Sequence, residues 1–132
     1  MTGGPLRVLV VEDEPLLRWA ISETLSTSGL MVAVASAAAA ALEALTTAEP
    51  AFDLVLLDLC LPDSRDLALL STICRRWPDT AVAIMTAHAA PDVLEGARAL
   101  RVQTILAKPF DVHGLPAILR AAHRQRHHPS LH

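Results

Sequence analysis

Tyrosine is absent from the chain, and aromatic residues of all kinds make up 3% of it. A flavin-binding electron carrier usually holds its ring system between aromatic side chains, so that reading starts without its usual material. Cysteine is scarce as well. Cys60 and Cys74 are too few and too irregularly placed for a disulfide framework or a zinc site, and they read as small reduced core residues. No apolar run reaches the roughly 18 residues that a bilayer span requires, and the opening MTGGPLR shows no signal-peptide pattern. These absences predict a cytoplasmic protein without membrane contact. Charged residues are only 19% of the chain and the net charge is −3, which excludes a general affinity for nucleic acid. There is also no spare helix pair for a helix-turn-helix, so direct DNA binding is not expected. The one basic stretch, Arg120 to His132, reads as a solvated helix end with a flexible tail over 125–132. No repeat, linker or charge block divides the 132 residues, and the expectation is one domain with its core over about 6–124. At 52% hydrophobic residues, it is rich enough to bury about two-thirds of the surface its unfolded chain exposes.

What the chain has is apolar runs alternating with amphipathic stretches, five times over, the pattern of repeated βα units around a parallel sheet. The strand candidates are Leu6 to Val11, Met31 to Ala35, Leu54 to Leu57, Ala81 to Met85 and Thr104 to Ala107. The first helix is expected from about Pro15 to Ser28, stopped by Gly29, a residue suited to the left-handed terminator. The second, Ala37 to Ala48, is alanine-rich with Leu42 and Leu45 as its apolar edge. In the third, Leu67, Leu70, Ile73, Cys74 and Trp77 form one stripe before Pro78. The fourth runs from about Pro91 to Leu100. The fifth presents Leu115, Ile118, Leu119 and Ala122, and because Pro116 cannot sit deep in a helix it should begin near Gly114, not at Asp111.

Polar residues close these apolar runs. Glu12 and Asp13 follow LRVLVV, Asp58 closes FDLVLL, Thr86 ends AVAIM, and Lys108 follows TILA. A strand buried on both faces is continuously apolar, so a polar residue at its C-terminal end stands on the rim of a parallel sheet, where open α/β folds bind ligands. Three carboxylates crowded there repel one another unless a cation intervenes, which makes a divalent metal the natural occupant. Adding a hydroxyl and an ammonium makes the set complementary to a phosphoryl group.

The run VLVVEDEP, the segment LVLLDLCLPD, the pair Thr86-Ala87 after an apolar strand, and Lys108-Pro109-Phe110 together resemble the receiver domain of two-component response regulators, over about Leu6 to Arg124. The resemblance implies a flavodoxin-like, doubly wound five-stranded parallel sheet of order 2-1-3-4-5 with five flanking helices. It implies that Asp58 accepts a phosphoryl group from a histidine kinase or histidine phosphotransfer protein. Glu12, Asp13, Asp58 and the backbone carbonyl of Cys60 would hold Mg²⁺, Lys108 would pair with the phosphate, and Thr86 would report its presence. The domain would act as a signalling switch that catalyses only its own phosphorylation and dephosphorylation. It would pass the signal to an effector or effector domain outside this chain, with a possible homodimer through helix 4, strand 5 and helix 5. Pro109 stands where the family has a cis peptide, and Pro62 would shape the loop over the metal.

The chain departs from the family pattern in places. Ile105 stands where receivers commonly carry a switch aromatic, and isoleucine is stiff at χ1. Arg101-Val102 replaces the usual Gly-Ala pair, and Asp66 replaces a glycine, where it is expected to cap the third helix. The resemblance implies that Cys60 and His88, two positions beyond Asp58 and Thr86, flank the path of attacking water, so His88 is expected to influence the phosphate's lifetime. Three alternatives are weighed against this reading. A haloacid-dehalogenase-like phosphatase would need D-x-D-x-T, whereas EDEPL lacks the threonine. A flavodoxin-like carrier would need a phosphate loop in place of the acidic Val11-Glu12-Asp13-Glu14. A receiver that signals by contact alone, without phosphate, is kept open by Ile105.

Overall fold

In a computed structural model, residues 4–64, 67–87 and 90–127 are described. Asp66 and His88 lie outside them, as do residues 128–132 of the tail expected over 125–132, whose residues 125–127 instead continue the last helix. Among the described residues the order is β1 (Arg7–Val11), α1 (Pro15–Thr27), β2 (Met31–Ala35), α2 (Ala38–Thr47), β3 (Leu54–Asp58), α3 (Ala68–Arg76), β4 (Ala81–Thr86), α4 (Pro91–Ala99), β5 (Thr104–Ala107) and α5 (Leu115–His127). The strands form one parallel sheet in the order β2-β1-β3-β4-β5.

Alternate residues of the three central strands face opposite sides, and each side has its own core. Val8, Val10, Leu54, Leu56, Ala83 and Met85 pack with Ile21 and Leu25 of α1 and with Leu115, Leu119 and Ala122 of α5. Leu9, Val11, Val55, Leu57, Val82 and Ile84 pack with α2, with Leu69, Leu70 and Ile73 of α3, and with Ala97 of α4. Truncating a fully buried leucine such as Leu70 or Leu119 in cores of this kind costs about 2–5 kcal/mol. The edge strands β2 and β5 are only partly covered, and Met31 and Val34 of β2 and Leu16 and Trp19 of α1 are exposed.

Helix ends follow the local chemistry. Pro15 occupies the first turn of α1, and the Glu14 side chain accepts a hydrogen bond from Leu17 N at 2.7 Å. Gly29, at φ 92°, ends that helix. A 3₁₀ turn over Val112–Gly114 precedes α5, which places Pro116 second in the helix, where its missing N–H costs nothing.

Two expectations are corrected. Cys60 is exposed and not a core residue, because it lies beyond the buried end of β3; Cys74 is partly buried against the α3 side. The expected stripe of α3 gains a member: buried Leu69 joins Leu70 and Ile73, with Cys74, Leu67 and Trp77 packed against the same core, the last two from the helix's cap positions. Leu67, at the N-cap, has no side-chain cap bond of its own, and the expected cap Asp66 lies outside the described residues.

Candidate functional site

Pairing register brings the polar residues together. Val11 lies level with Leu57, Asp58 with Met85, and Thr86 with Ala107, so Glu12 continues β1 beside Asp58 and Lys108 continues β5 beside Thr86. The chain leaves β1 for β2 on one side and returns to β3 on the other, so the rim between β1 and β3 is the crevice where doubly wound folds take ligands.

Glu12 is fully buried and Asp58 is 2% exposed, whereas Asp13 opens to solvent. Lys108 Nζ donates to Glu12 Oε1 at 2.9 Å and to Asp58 Oδ2 at 3.1 Å, joining the outermost of the rim's elements to its centre. The second oxygen of each carboxylate is held by backbone: Glu14 N donates to Glu12 Oε2 at 3.0 Å, and Cys60 N to Asp58 Oδ1 at 2.9 Å. Lys108 N donates to the Thr86 carbonyl at 2.8 Å, and the Lys108–Pro109 peptide is cis. Burial raises the Glu12 pKa above its usual value, only partly offset by Lys108 and the Glu14 N–H. Burial alone would lower that of Lys108, but its bonds to Glu12 and then Asp58 outweigh it and hold the ammonium above its ordinary range.

One oxygen from each of Glu12, Asp13 and Asp58 lies within 4.8 Å of the others. These are hard oxygen donors, and three carboxylates against one ammonium leave an excess of two negative charges, so the set fits a small divalent cation. Thr86 is the last residue of β4 and is buried near the same rim. Every rim residue expected from the sequence is therefore at the C-terminal edge of the sheet.

The sequence reading missed two supports. Arg18 Nη1 donates to the Glu12 carbonyl at 3.0 Å, and Asp63 bonds to the start of α2. Glu14 ahead of Pro15 is a local cap signal that could have been read, but no spacing rule points from Arg18 to Glu12 or from Asp63 to α2.

Comparison with known proteins bears on this geometry. The family model described as response regulator receiver domain matches residues 8–120. The DNA-binding transcriptional regulator NtrC of Escherichia coli is 36% identical over 115 residues, covering 87% of this chain and 24% of that protein. The response regulator protein FleR of Pseudomonas aeruginosa is 38% identical over 109 residues, covering 83% and 23%. The chain thus spans about a quarter of the length of these curated relatives. A CheY-like receiver domain protein from Methanospirillum hungatei superposes with a TM-score of 0.88 at 20% identity, covering 96% of this chain and 100% of that one, which shows the fold. A sensor protein from Polaromonas gives 0.81 at 29% identity, covering 92% and 98%. With its sheet order, its acidic rim and a match running through nearly all of its elements, the chain belongs to the response regulator receiver domain family.

Proposed function

We propose that the chain acts as one phosphoacceptor unit, with Asp58 taking a phosphoryl group from a phosphohistidine on a histidine kinase or phosphotransfer protein. The observation that carries this reading is Lys108 Nζ held between Glu12 and Asp58, at 2.9 and 3.1 Å, beside the open carboxylate of Asp13. An Asp58 carboxylate oxygen attacks phosphorus, an O–P bond forms, the P–N bond breaks, and the imidazole leaves with the electron pair. Glu12, Asp13, Asp58 and the Cys60 carbonyl are the residues that would hold Mg²⁺. When bound, the ion offsets repulsion between the nucleophile and the incoming anion. The Cys60 N–H on Oδ1 orients the Asp58 carboxylate for attack. Lys108 exchanges its carboxylate partners for the new phosphoryl oxygens, and Thr86 turns its hydroxyl toward one of them. Hydrolysis of the acyl phosphate by water resets the switch, and no other substrate is turned over.

The output would pass to an effector or effector domain outside these residues, with a homodimer through α4, β5 and α5 as one form of it. One observation favours a second reading, signalling by contact alone: Ile105 is partly buried against the α2–α4 side and has no ring to reorient. Incubation with Mg²⁺ and acetyl phosphate decides between them. The wild type should gain the mass of one phosphoryl group, labile to hydroxylamine, and Asp58→Asn should gain none. An unchanged wild-type mass would favour the contact-only reading.

A further inference from the structure

Helix α2 has no cap of its own: its N-cap is Ala37, which makes no side-chain bond, and its first turn contains no acidic residue. Its open amides are met from across the fold, where Asp63 Oδ1 accepts from Ala38 N at 2.7 Å and Oδ2 from Ala39 N at 3.0 Å. Asp63 lies in the turn closed by the bridge between Leu61 and Ser64, and the Leu61 side chain is buried in the core on the α2 side. Two residues beyond Asp58, Cys60 N bonds back to the Asp58 carboxylate. The segment that leaves β3 is therefore held at three places: by the Asp58 carboxylate, by Leu61 in the core, and by Asp63 on α2. The Ala39 amide, followed by that of Ala38, holds the Asp63 carboxyl below its usual range, so this tether is charged near neutral pH.

We propose that Asp63 is a positioning residue for the metal site, tying to α2 the loop whose Cys60 N–H holds the Asp58 carboxylate and whose Cys60 carbonyl would face the ion. The proposal rests on the metal reading above. It differs from ordinary capping because the two bonds join residues 24 and 25 positions apart, and so restrain a loop against a helix. A cap supplied by residue 37 itself would satisfy one first-turn amide, that of Ala39 or Ala40, and restrain nothing else. That difference can be tested.

Magnesium titrations by calorimetry on the full chain would compare wild type, Asp63→Ala, the double variant Asp63→Ala/Ala37→Ser, and Asp13→Asn. Asp63→Ala should weaken Mg²⁺ binding roughly tenfold, the low end for residues that orient metal ligands from behind. The half-saturating Mg²⁺ for phosphorylation by acetyl phosphate should rise by the same factor, with the rate at saturating Mg²⁺ within about twofold of wild type. In the double variant the serine caps α2 locally, so the melting temperature should recover while the Mg²⁺ affinity does not. Wild-type affinity in the double variant would overturn the positioning role, leaving Asp63 a cap alone. If the wild type binds no Mg²⁺, or Asp13→Asn binds it as well as wild type does, the metal reading fails and this proposal falls with it.

Discussion

Glu12 and Lys108 act on each other through one short contact, with consequences for both. Burial pushes the Glu12 pKa above its usual 4.5, and Lys108 restores only part of that loss. A proton and a divalent cation compete for the same oxygens, so Mg²⁺ affinity should fall as pH drops, starting at a higher pH than an ordinary glutamate would give. Calorimetry at steps between about pH 8 and 5 checks this, and an affinity flat down to about 5 would contradict it. The sign for Lys108 is opposite in its effect on folding. Its pKa is raised above the usual 10.5, so its contribution to stability is complete below that value and is lost as pH climbs through the folded value. Across the neutral range the ammonium is therefore constant, and the early pH response of the cation site belongs to Glu12.

At the scale of elements, the end of α4 stands out. Arg101 adopts φ 67°, a left-handed conformation in which a side chain with a Cβ is crowded, just past the helix C-cap at Leu100. Its N–H bonds the Arg98 carbonyl at 2.9 Å, and Val102 N reaches Ala97 at 3.5 Å, a glycine-type helix terminator built with arginine. Arg101→Gly should therefore stabilise the protein by about 1 kcal/mol, read by urea denaturation, since glycine removes the strain at some cost in chain entropy. Lower stability in that variant would mean that the arginine side chain contributes more than its backbone costs. The departure at residues 101 and 102 was visible in the sequence, but its strain was not: the backbone angle follows from α4 having to turn into β5. Both ends of α1 and the start of α5 were legible, because Pro15, Gly29 and Pro116 impose backbone limits wherever they stand. The start of α2 was not, because its cap comes from a residue in another loop.

For the whole molecule, the acidic rim opposes compaction until its charge is balanced. A cation that binds only the folded chain adds about 1.4 kcal/mol at ten times its dissociation constant. For a domain of this size that corresponds to a rise of roughly 4–6 °C in melting temperature. Wild type should show this rise with Mg²⁺, and Asp13→Asn should lose most of it. Equal rises in both proteins would place the stabilising ion elsewhere.

Apolar runs, their polar ends and the helix stop signals depend on local rules of chain geometry, so the sequence alone determined five strands, five helices, the alternation between them, and which residues would stand on the rim. The residues also carried the family pattern, and with it the sheet order. Tertiary structure alone decided that Lys108 bridges Glu12 and Asp58, that Arg18 holds the Glu12 carbonyl, that Asp63 caps α2 from another loop, and that Cys60 is exposed. Those facts depend on register and on contacts between residues far apart in the chain, and no local propensity encodes a distance between two strands that only folding brings together.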